Sequence, residues 1–338
     1  MYLRKPKIAV MILNYNGREI LLNCVSSLEK TSYTNFDIFV IDNASTDDSI
    51  TRLRKFFPQV KIIQFDKNYG FCQAYNKASK IVDADYFLFL NNDITIVNSD
   101  WLSKMVKTII SEPLIAAVGS KLLLFDDSKI LDNIGGTVYK WQGGVRIGFG
   151  EEDKNQYDKV PINPFYVSGA SLLITKKLFL DVGGFDSEMF AYSEDLDLCW
   201  RLRLLGYKIQ SCPHAVLLHR LSASWKKSVK SLYLAHRNFL RASIKNYSKK
   251  NLVKQIPPFL ITSIFFGLFA SLLSKNIAFL LSIGKSIFSN LFNLPSALNA
   301  RKIVQKKRRI SDNILFKDAP TQGFEPITKI VQKSRSFM

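Results

Sequence analysis

Three polar residues, Asn91-Asn92-Asp93, cut off a run of five apolar ones, Tyr86-Phe87-Leu88-Phe89-Leu90. A short aromatic-rich run without helical spacing predicts a strand buried on both faces. Its polar end then lies at the carboxyl edge of an open sheet, where α/β proteins bind ligands. One carboxylate among amides suits a magnesium or manganese ion, which prefers oxygen ligands and takes part of its shell from substrate phosphates. A strand followed by an Asn/Asp turn would leave the same residues, so the rest of the chain must decide.

Glu194 and Asp195 stand behind Ser193, a residue that can cap a helix, and carboxylates in a first helical turn are favoured by its exposed amides. Either could act as a catalytic base. Asp197 precedes Arg201 by four residues, an ordinary helical ion pair, and is assigned to structure. His219 ends a strand-like run, and a neutral imidazole there can complete a divalent-metal shell. Asp42, Asn68 and Gly70 also fall at or just beyond strand ends. A carboxylate at such an end can accept a base N–H, and a glycine lets the backbone approach a nucleotide.

For these residues to meet, strands and helices must alternate. Residues 8–13 and 38–41 read as buried strands, with Leu21, Leu22, Val25 and Leu28 at helical spacing between them. A helix over 47–57, a strand over 60–65, a polar turn at 66–70 and a helix over 71–82 lead to the strand at 86–90. This alternation predicts βαβ units and a largely parallel sheet, whose strand ends converge on one crevice. After a helix at 101–112 the pattern changes. Short strands are expected at 114–118 and 121–125, then hairpin-like segments punctuated by Gly135-Gly136 and Gly143-Gly144. A strand over 165–175 interrupted by Ser168-Gly169-Ala170, a helix over 194–205, a strand over 207–218 and a basic helical stretch over 222–250 follow.

The net charge of +19 is unevenly spread. Residues 1–219 hold 25 Lys/Arg and 25 Asp/Glu, whereas residues 220–338 hold 22 against 3. The first two-thirds therefore lacks a polyanion-binding charge, and the basic tail is also the most apolar stretch. That combination fits an anionic membrane surface and disfavours nucleic acid. The four cysteines show no paired spacing and read as thiols in a reducing compartment. No signal-peptide core follows the basic residues 1–7, which puts the first domain in the cytoplasm.

Taken in order, these segments resemble the family 2 glycosyltransferases of the GT-A fold, most of all their rhamnosyltransferase-like branch. The resemblance is carried by Ile12-Leu13-Asn14-Tyr15-Asn16, Val40-Ile41-Asp42-Asn43-Ala44-Ser45-Thr46-Asp47, Asn68-Tyr69-Gly70-Phe71 and Leu90-Asn91-Asn92-Asp93. Gly183-Gly184-Phe185-Asp186, Glu194-Asp195-Leu196-Asp197 and His219 with Ser222 and Ser224 complete it, collinear over about residues 7–225. It implies a Rossmann-like, mostly parallel sheet with nucleotide-binding and acceptor-binding halves. It implies that Asp42 contacts the donor's base, and that Asn14 and Asn16, with Asn68, Gly70 and Asn92, line the nucleotide pocket. Asp93 would hold Mg2+ or Mn2+ on the diphosphate, His219 would add a metal or diphosphate contact, and Asp195, beside Glu194, would be the base. Gly169 and Trp141 fall where the acceptor would lie. Asn91 replaces the first acid of the usual D-x-D, which throws metal affinity onto Asp93.

The implied activity is an inverting, metal-dependent transfer of one sugar, rhamnose by the branch resembled, from a nucleoside-diphosphate sugar to a hydroxyl of a lipid-linked or cell-envelope glycan. A base must deprotonate the acceptor hydroxyl, while a cation-stabilised diphosphate leaves without a protonating acid, so one displacement inverts the anomeric centre. Glu194 and Asp195, adjacent on a helix and about 100° apart, cannot flank one bond as a hydrolase's two carboxylates do. No Q-x-x-R-W motif of processive synthases is present. The alternative is a catalytically silent nucleotide-sugar-binding subunit of a membrane assembly.

Residues 256–274 are uncharged between Lys254 and Lys275, and at about 1.5 Å per residue could just cross a bilayer. Ile277, Leu280, Leu281, Gly284, Ile287, Phe288 and Leu291 form one apolar stripe opposite Ser282, Lys285, Ser286 and Ser289. Both flanks are basic, so a single span would export one cluster, and a return span would sink Lys285 at about 3 kcal/mol. In-plane or re-entrant attachment to the cytoplasmic face of the cell membrane, on anionic lipids, is expected; a soluble hairpin closed in a homo-oligomer is the other solution. The expected organisation is a catalytic domain over 1–225, a basic membrane-associating helical region over 226–310 and a polar basic tail over 311–338.

Overall fold

The computed structural model describes residues 5–139, 143–159, 162–221 and 229–318. Trp141, Ser222 and Ser224 lie outside the described residues. The alternating half comprises β1 (Ile8–Asn14), α1 (Arg18–Leu28), β2 (Phe36–Asp42), α2 (Ser49–Phe56), β3 (Lys61–Gln64), α3 (Gly70–Ser79) and β4 (Tyr86–Asn91). β1 lies between β2 and β4, all parallel, and β3 extends the sheet beyond β2. The register sets Asn14 opposite Asp42 and Leu13 opposite Asn91, so the polar residues that end these runs share one edge. Alternate side chains of β4 enter opposite faces: Phe87 and Phe89 join Met11, Tyr75 and Trp200 in one core, Leu88 and Leu90 join Ile12, Leu21 and Trp101 in the other.

The second half contains β5 (Ile94–Ile96), α4 (Trp101–Ile110), β6 (Ile115–Leu124), β7 (Leu131–Asn133) and a hairpin of β8 (Gly136–Tyr139) and β9 (Gly143–Arg146). β10 (Ser171–Thr175), α5 (Lys176–Asp181), α6 (Glu194–Leu204) and β11 (Lys208–His219) follow. The sheet order is β3-β2-β1-β4-β10-β6-β11-β5, with β7 on β6, and β10 runs antiparallel between β4 and β6. The two short strands expected at 114–125 are one strand, β6. Gly119 and Ser120 do not turn the chain: the space a Cβ would take at Gly119 is filled by Val167, and the Ser120 hydroxyl meets that of Ser171 at 2.8 Å. Conversely, 165–167 does not extend β10: Tyr166 pairs instead with Gly136 of β8, each N–H donating to the other's carbonyl, and Arg203 of α6 bonds the carbonyls of Phe165 and Pro164.

Five helices end the described chain: α7 (Val229–Asn246), α8 (Lys249–Ser274), α9 (Ala278–Phe292), α10 (Leu294–Lys307) and α11 (Asp312–Asp318). Phe239 and Leu240 of α7, Phe259 of α8 and Leu315 of α11 share a core with Trp200, so burial continues past residue 225. α8 starts seven residues before the apolar run, held by Ser248, whose hydroxyl accepts from Asn251 N–H at 3.3 Å. Pro257 and Pro258 therefore lie inside the helix.

Asp197, fully buried, ties α6 to α7. It accepts from Arg201 Nε at 2.9 Å and Asn246 Nδ2 at 3.0 Å, and pairs with Lys245 at 2.9 Å. Asp197→Ala leaves two buried cations short of a partner and should cost about 3 kcal/mol. A clear drop in the thermal midpoint is expected by differential scanning fluorimetry; an unchanged midpoint would refute the structural assignment.

Candidate active site

The loops after β1 and β2 are sewn together by amides. Asn14 is buried; its Nδ2 donates to Ser45 Oγ at 3.1 Å and Ser49 Oγ at 3.0 Å, and its Oδ1 accepts from Asn92 Nδ2 at 3.2 Å. Gly17 makes this possible, since a Cβ there would stand 2.2 Å from Asn14 Oδ1. Asn16 adopts φ +53° and accepts from Thr46 N–H at 2.8 Å. Asp42, buried at the end of β2, accepts from Ser45 N–H at 3.2 Å. Asn43, which the sequence reading passed over, holds the next loop: Nδ2 donates to Asn68 Oδ1 at 2.8 Å and Gly70 O at 3.1 Å, and Oδ1 accepts from Tyr69 N–H at 2.9 Å. Its place directly after Asp42 at a strand end was the available signal. Gly70 has φ +71°, and the ring of Phe190 packs where a side chain would go.

Asp93 occupies the turn between β4 and β5, and His219 ends β11 opposite Ile94. His219 Nε2 lies 3.2 Å from Asp93 Oδ1, and Nδ1 lies 2.8 Å from Asp132 Oδ2. Asp132 is fully buried and also pairs with Arg146. Burial alone would lower the imidazole's proton affinity, but the hydrogen bonds and charges of Asp132 and Asp93 outweigh it and lift His219 to about 9. Burial likewise opposes ionisation of Asp132, yet Arg146 and His219 hold its carboxyl below the ordinary range. Asp132 and Arg146 carried no sequence signal, lying in stretches read only as hairpin. Among the described residues no three His, Cys, Asp or Glu side chains surround one point. A cation would find the Asp93 carboxylate here and, only by displacing the Nε2 proton that the two carboxylates retain on His219, one imidazole; phosphate and water would have to complete the shell of Mg2+ or Mn2+.

Asp195 reaches the same edge from α6. Its Oδ2 accepts from Gly169 N–H at 2.9 Å and its Oδ1 from Leu196 N–H at 2.7 Å. The residue after Gly169, Ala170, accepts through its carbonyl from Asn91 N–H at 3.1 Å, which sets this carboxylate beside the Asn91-Asn92-Asp93 turn. Burial raises the Asp195 carboxyl above its usual range, opposed by these amides. Glu194 is buried, its Oε2 without a hydrogen-bond partner among the described residues, and burial with the Asp195 charge pushes it up to about 8. Ser193 does not cap the helix with its side chain. It is left-handed, φ +62°, and its hydroxyl faces Ala235 O at 3.5 Å. The four cysteines are free and buried.

Strands that present acids and amides together at the carboxyl ends of β1, β2 and β4, with an antiparallel strand let in beside them, define a GT-A glycosyltransferase. The chain belongs to glycosyl transferase family 2, whose profile matches residues 9–178. It is 25% identical over 236 residues to the O-antigen biosynthesis protein RfbC of Myxococcus xanthus, covering 65% of this chain and 18% of that protein. It is 27% identical over 240 residues to the poly-beta-1,6-N-acetyl-D-glucosamine synthase of Staphylococcus aureus, covering 69% of this chain and 56% of the synthase. The chain thus spans only part of these relatives. The same fold is seen in the mannosyltransferase PcManGT from Pyrobaculum calidifontis, solved with GDP-Man and Mn2+, at a TM-score of 0.56, 13% identity, and coverage of 90% of this chain and 84% of that one. GalNAc-T7, solved with UDP, GalNAc and Mn2+, aligns at a TM-score of 0.58 and 16% identity over 71% of this chain and 48% of its own.

Glu194 sets a pH dependence. Its proton affinity is raised in the folded state from an ordinary 4.5 to about 8, so the stability it contributes is complete below pH 4.5 and lost as pH rises through 8. Glu194→Gln keeps the shape without the charge. Its stability should overtake that of the wild type as pH climbs, by on the order of 5 kcal/mol at the upper end. Thermal midpoints of both proteins across this window check it; parallel curves would show that another group titrates.

Proposed function

We propose that the protein is an inverting, cation-dependent glycosyltransferase that moves one sugar from a nucleoside-diphosphate sugar to a hydroxyl of a lipid-linked or cell-envelope glycan. The carrying observation is that Asp195, through Gly169 and Ala170, stands at the strand edge that also bears Asp93 and His219. Asp195 accepts the acceptor's proton: burial makes it a stronger base than an exposed aspartate, and the two amides aim it. Gly169 borders the acceptor. Asp42 accepts from the donor's base, and Asn14, Asn16, Asn68, Gly70 and Asn92 wall the nucleotide pocket. Asp93, with His219 once its Nε2 proton is displaced, would hold Mg2+ or Mn2+, which would supply charge stabilisation to the departing diphosphate. Asp132 keeps Nδ1 engaged so that Nε2 faces Asp93. The nucleotides and Mn2+ bound by the solved neighbours support this chemistry, and the name of the Myxococcus relative supports an envelope glycan. Rhamnose as the sugar rests on the branch resembled.

The enzyme works at a lipid surface in this reading. α8 is long and apolar enough to cross a membrane. It packs on α9 through Gly267 and Ser271, stacks Phe259 on His236 and against Phe239 of α7, and turns Ile261, Phe265 and Leu272 outward. α9 buries its polar edge, Ser282, Ser286 and Asn290, and exposes Leu281, Phe288 (70%) and Leu291. Polar-in and apolar-out inverts the pattern of a helix in water. In-plane or re-entrant attachment to the anionic cytoplasmic face satisfies that surface and the basic residues around it.

Turnover of UDP-, GDP- and dTDP-hexoses with a membrane-lipid extract as acceptor, with EDTA or added Mn2+, tests the chemistry. Asp195→Asn should keep nucleoside-diphosphate affinity and lose transfer by about 10²–10⁴-fold; wild-type turnover in that variant removes the base. Phe265→Glu with Phe288→Glu should abolish co-sedimentation with phosphatidylglycerol vesicles. Undiminished sedimentation, or a wild-type dimer that ignores vesicles, would assign the apolar face to a second copy.

A further inference from the structure

The segment that delivers Asp195 is strained. Phe190 has φ +63° and ψ −65°, and Ala191 N–H bonds back to Met189 O at 2.7 Å, a tight three-residue turn that non-glycine residues rarely adopt. Tyr192 at φ +74° and Ser193 at φ +62° follow. Three left-handed residues within four positions do not hold themselves in place. The side chain that bonds most of the carbonyls of residues 189–193 comes from α7. Asn238 of α7, fully buried, directs Nδ2 at Met189 O (2.8 Å), Ala191 O (2.8 Å) and Tyr192 O (2.7 Å). Its other end is fixed, because Oδ1 accepts from Arg237 Nε at 2.9 Å, and Arg237 Nη2 also donates to Glu188 O and Met189 O.

The turn has contacts on the donor side as well. Phe190 O accepts the amides of Phe71 (2.7 Å) and Cys72 (3.2 Å) at the start of α3, while its ring covers Gly70. From the far side, α9 supports α7: Asn290 Nδ2 donates to Arg237 O at 3.0 Å and Ser286 Oγ meets His236 Nδ1 at 2.5 Å.

We propose that Asn238, oriented by Arg237, is the positioning residue of the reaction, clamping the 189–193 turn so that the carboxylate of Asp195 and the Asn68–Gly70 loop keep a fixed relation. The inference rests on Asp195 being the base. Asn238 touches neither substrate; its effect passes through backbone carbonyls, where a small displacement of a catalytic group has a large kinetic effect.

The test uses the full chain with Asn238→Ala and the milder Arg237→Gln, and Asp195→Asn in parallel. Deuterium exchange should accelerate by about tenfold in peptides covering 186–197 and at Phe71 and Cys72, with 8–65 unchanged. Transfer kcat should fall by about 10²-fold for Asn238→Ala, while the dissociation constant of UDP or GDP, whichever the wild type binds, stays within about twofold. Wild-type exchange and kcat in both variants overturn the proposal. So does a joint loss of nucleotide affinity and of protection at 8–65, which marks a merely structural residue. If Asp195→Asn itself turns over normally, the base assignment fails, and exchange at 186–197 still decides the clamp.

Discussion

The hydrogen bond from Gly169 N–H to the Asp195 carboxylate is the joint on which the crevice depends. A buried carboxylate needs something to meet its charge, and Asp195 is met by backbone amides, not by a cation. The contrast lies close by in the chain. Asp197 faces Lys245 and Arg201, Asp186 faces Lys245 and Arg241, and both are held below the ordinary carboxylate range despite burial. Three aspartates within twelve residues are thus sorted by their partners: two are locked as permanent anions that brace α7, and one keeps an enhanced appetite for a proton.

The opposite wall shows the complementary economy. Asn14, Asn16, Asn43, Asn68 and Asn92 make the hydrogen bonds that join the loops after β1, β2, β3 and β4. An amide donates and accepts at once and brings no charge. Loops knitted by asparagines leave Asp42 and Asp93 as the chief negative groups of that edge, which matters for a pocket proposed to receive a diphosphate.

What the sequence made legible was set by how local the signal was. Strands β1, β2 and β4 announce themselves as unbroken apolar runs, and the polar residues closing them were readable because a parallel sheet must bring such ends to one side. Gly70 followed from the same logic, and the Glu194-Asp195 pair was read from the first turn of a helix. The hydroxyl of Ser193 did not, because capping presumes an extended residue and this one is left-handed. Asp132 meets His219 across 87 positions, Asn238 meets Ala191 across 47, and neither pairing leaves a periodicity or a motif behind. The split of β6 was misjudged because Gly119-Ser120 has the composition of a turn and the environment of a strand.

The end of α7 is finished by another helix. Arg301 and Gln305 of α10, with Arg308 just beyond it, bond the carbonyls of Ile244, Lys245, Asn246 and Tyr247. The chain therefore departs from and returns to nearly the same spot, and α8 with α9 is an excursion whose two feet are stapled together. The far end of that excursion, where Lys275 closes α8 and the chain turns into α9, can change without disturbing the catalytic crevice, whereas Phe259 of α8 and Ser286 and Asn290 of α9 bear on α7. Shortening the protein from its carboxyl end is a different matter, since it unstaples the feet and frays the helix that braces the crevice.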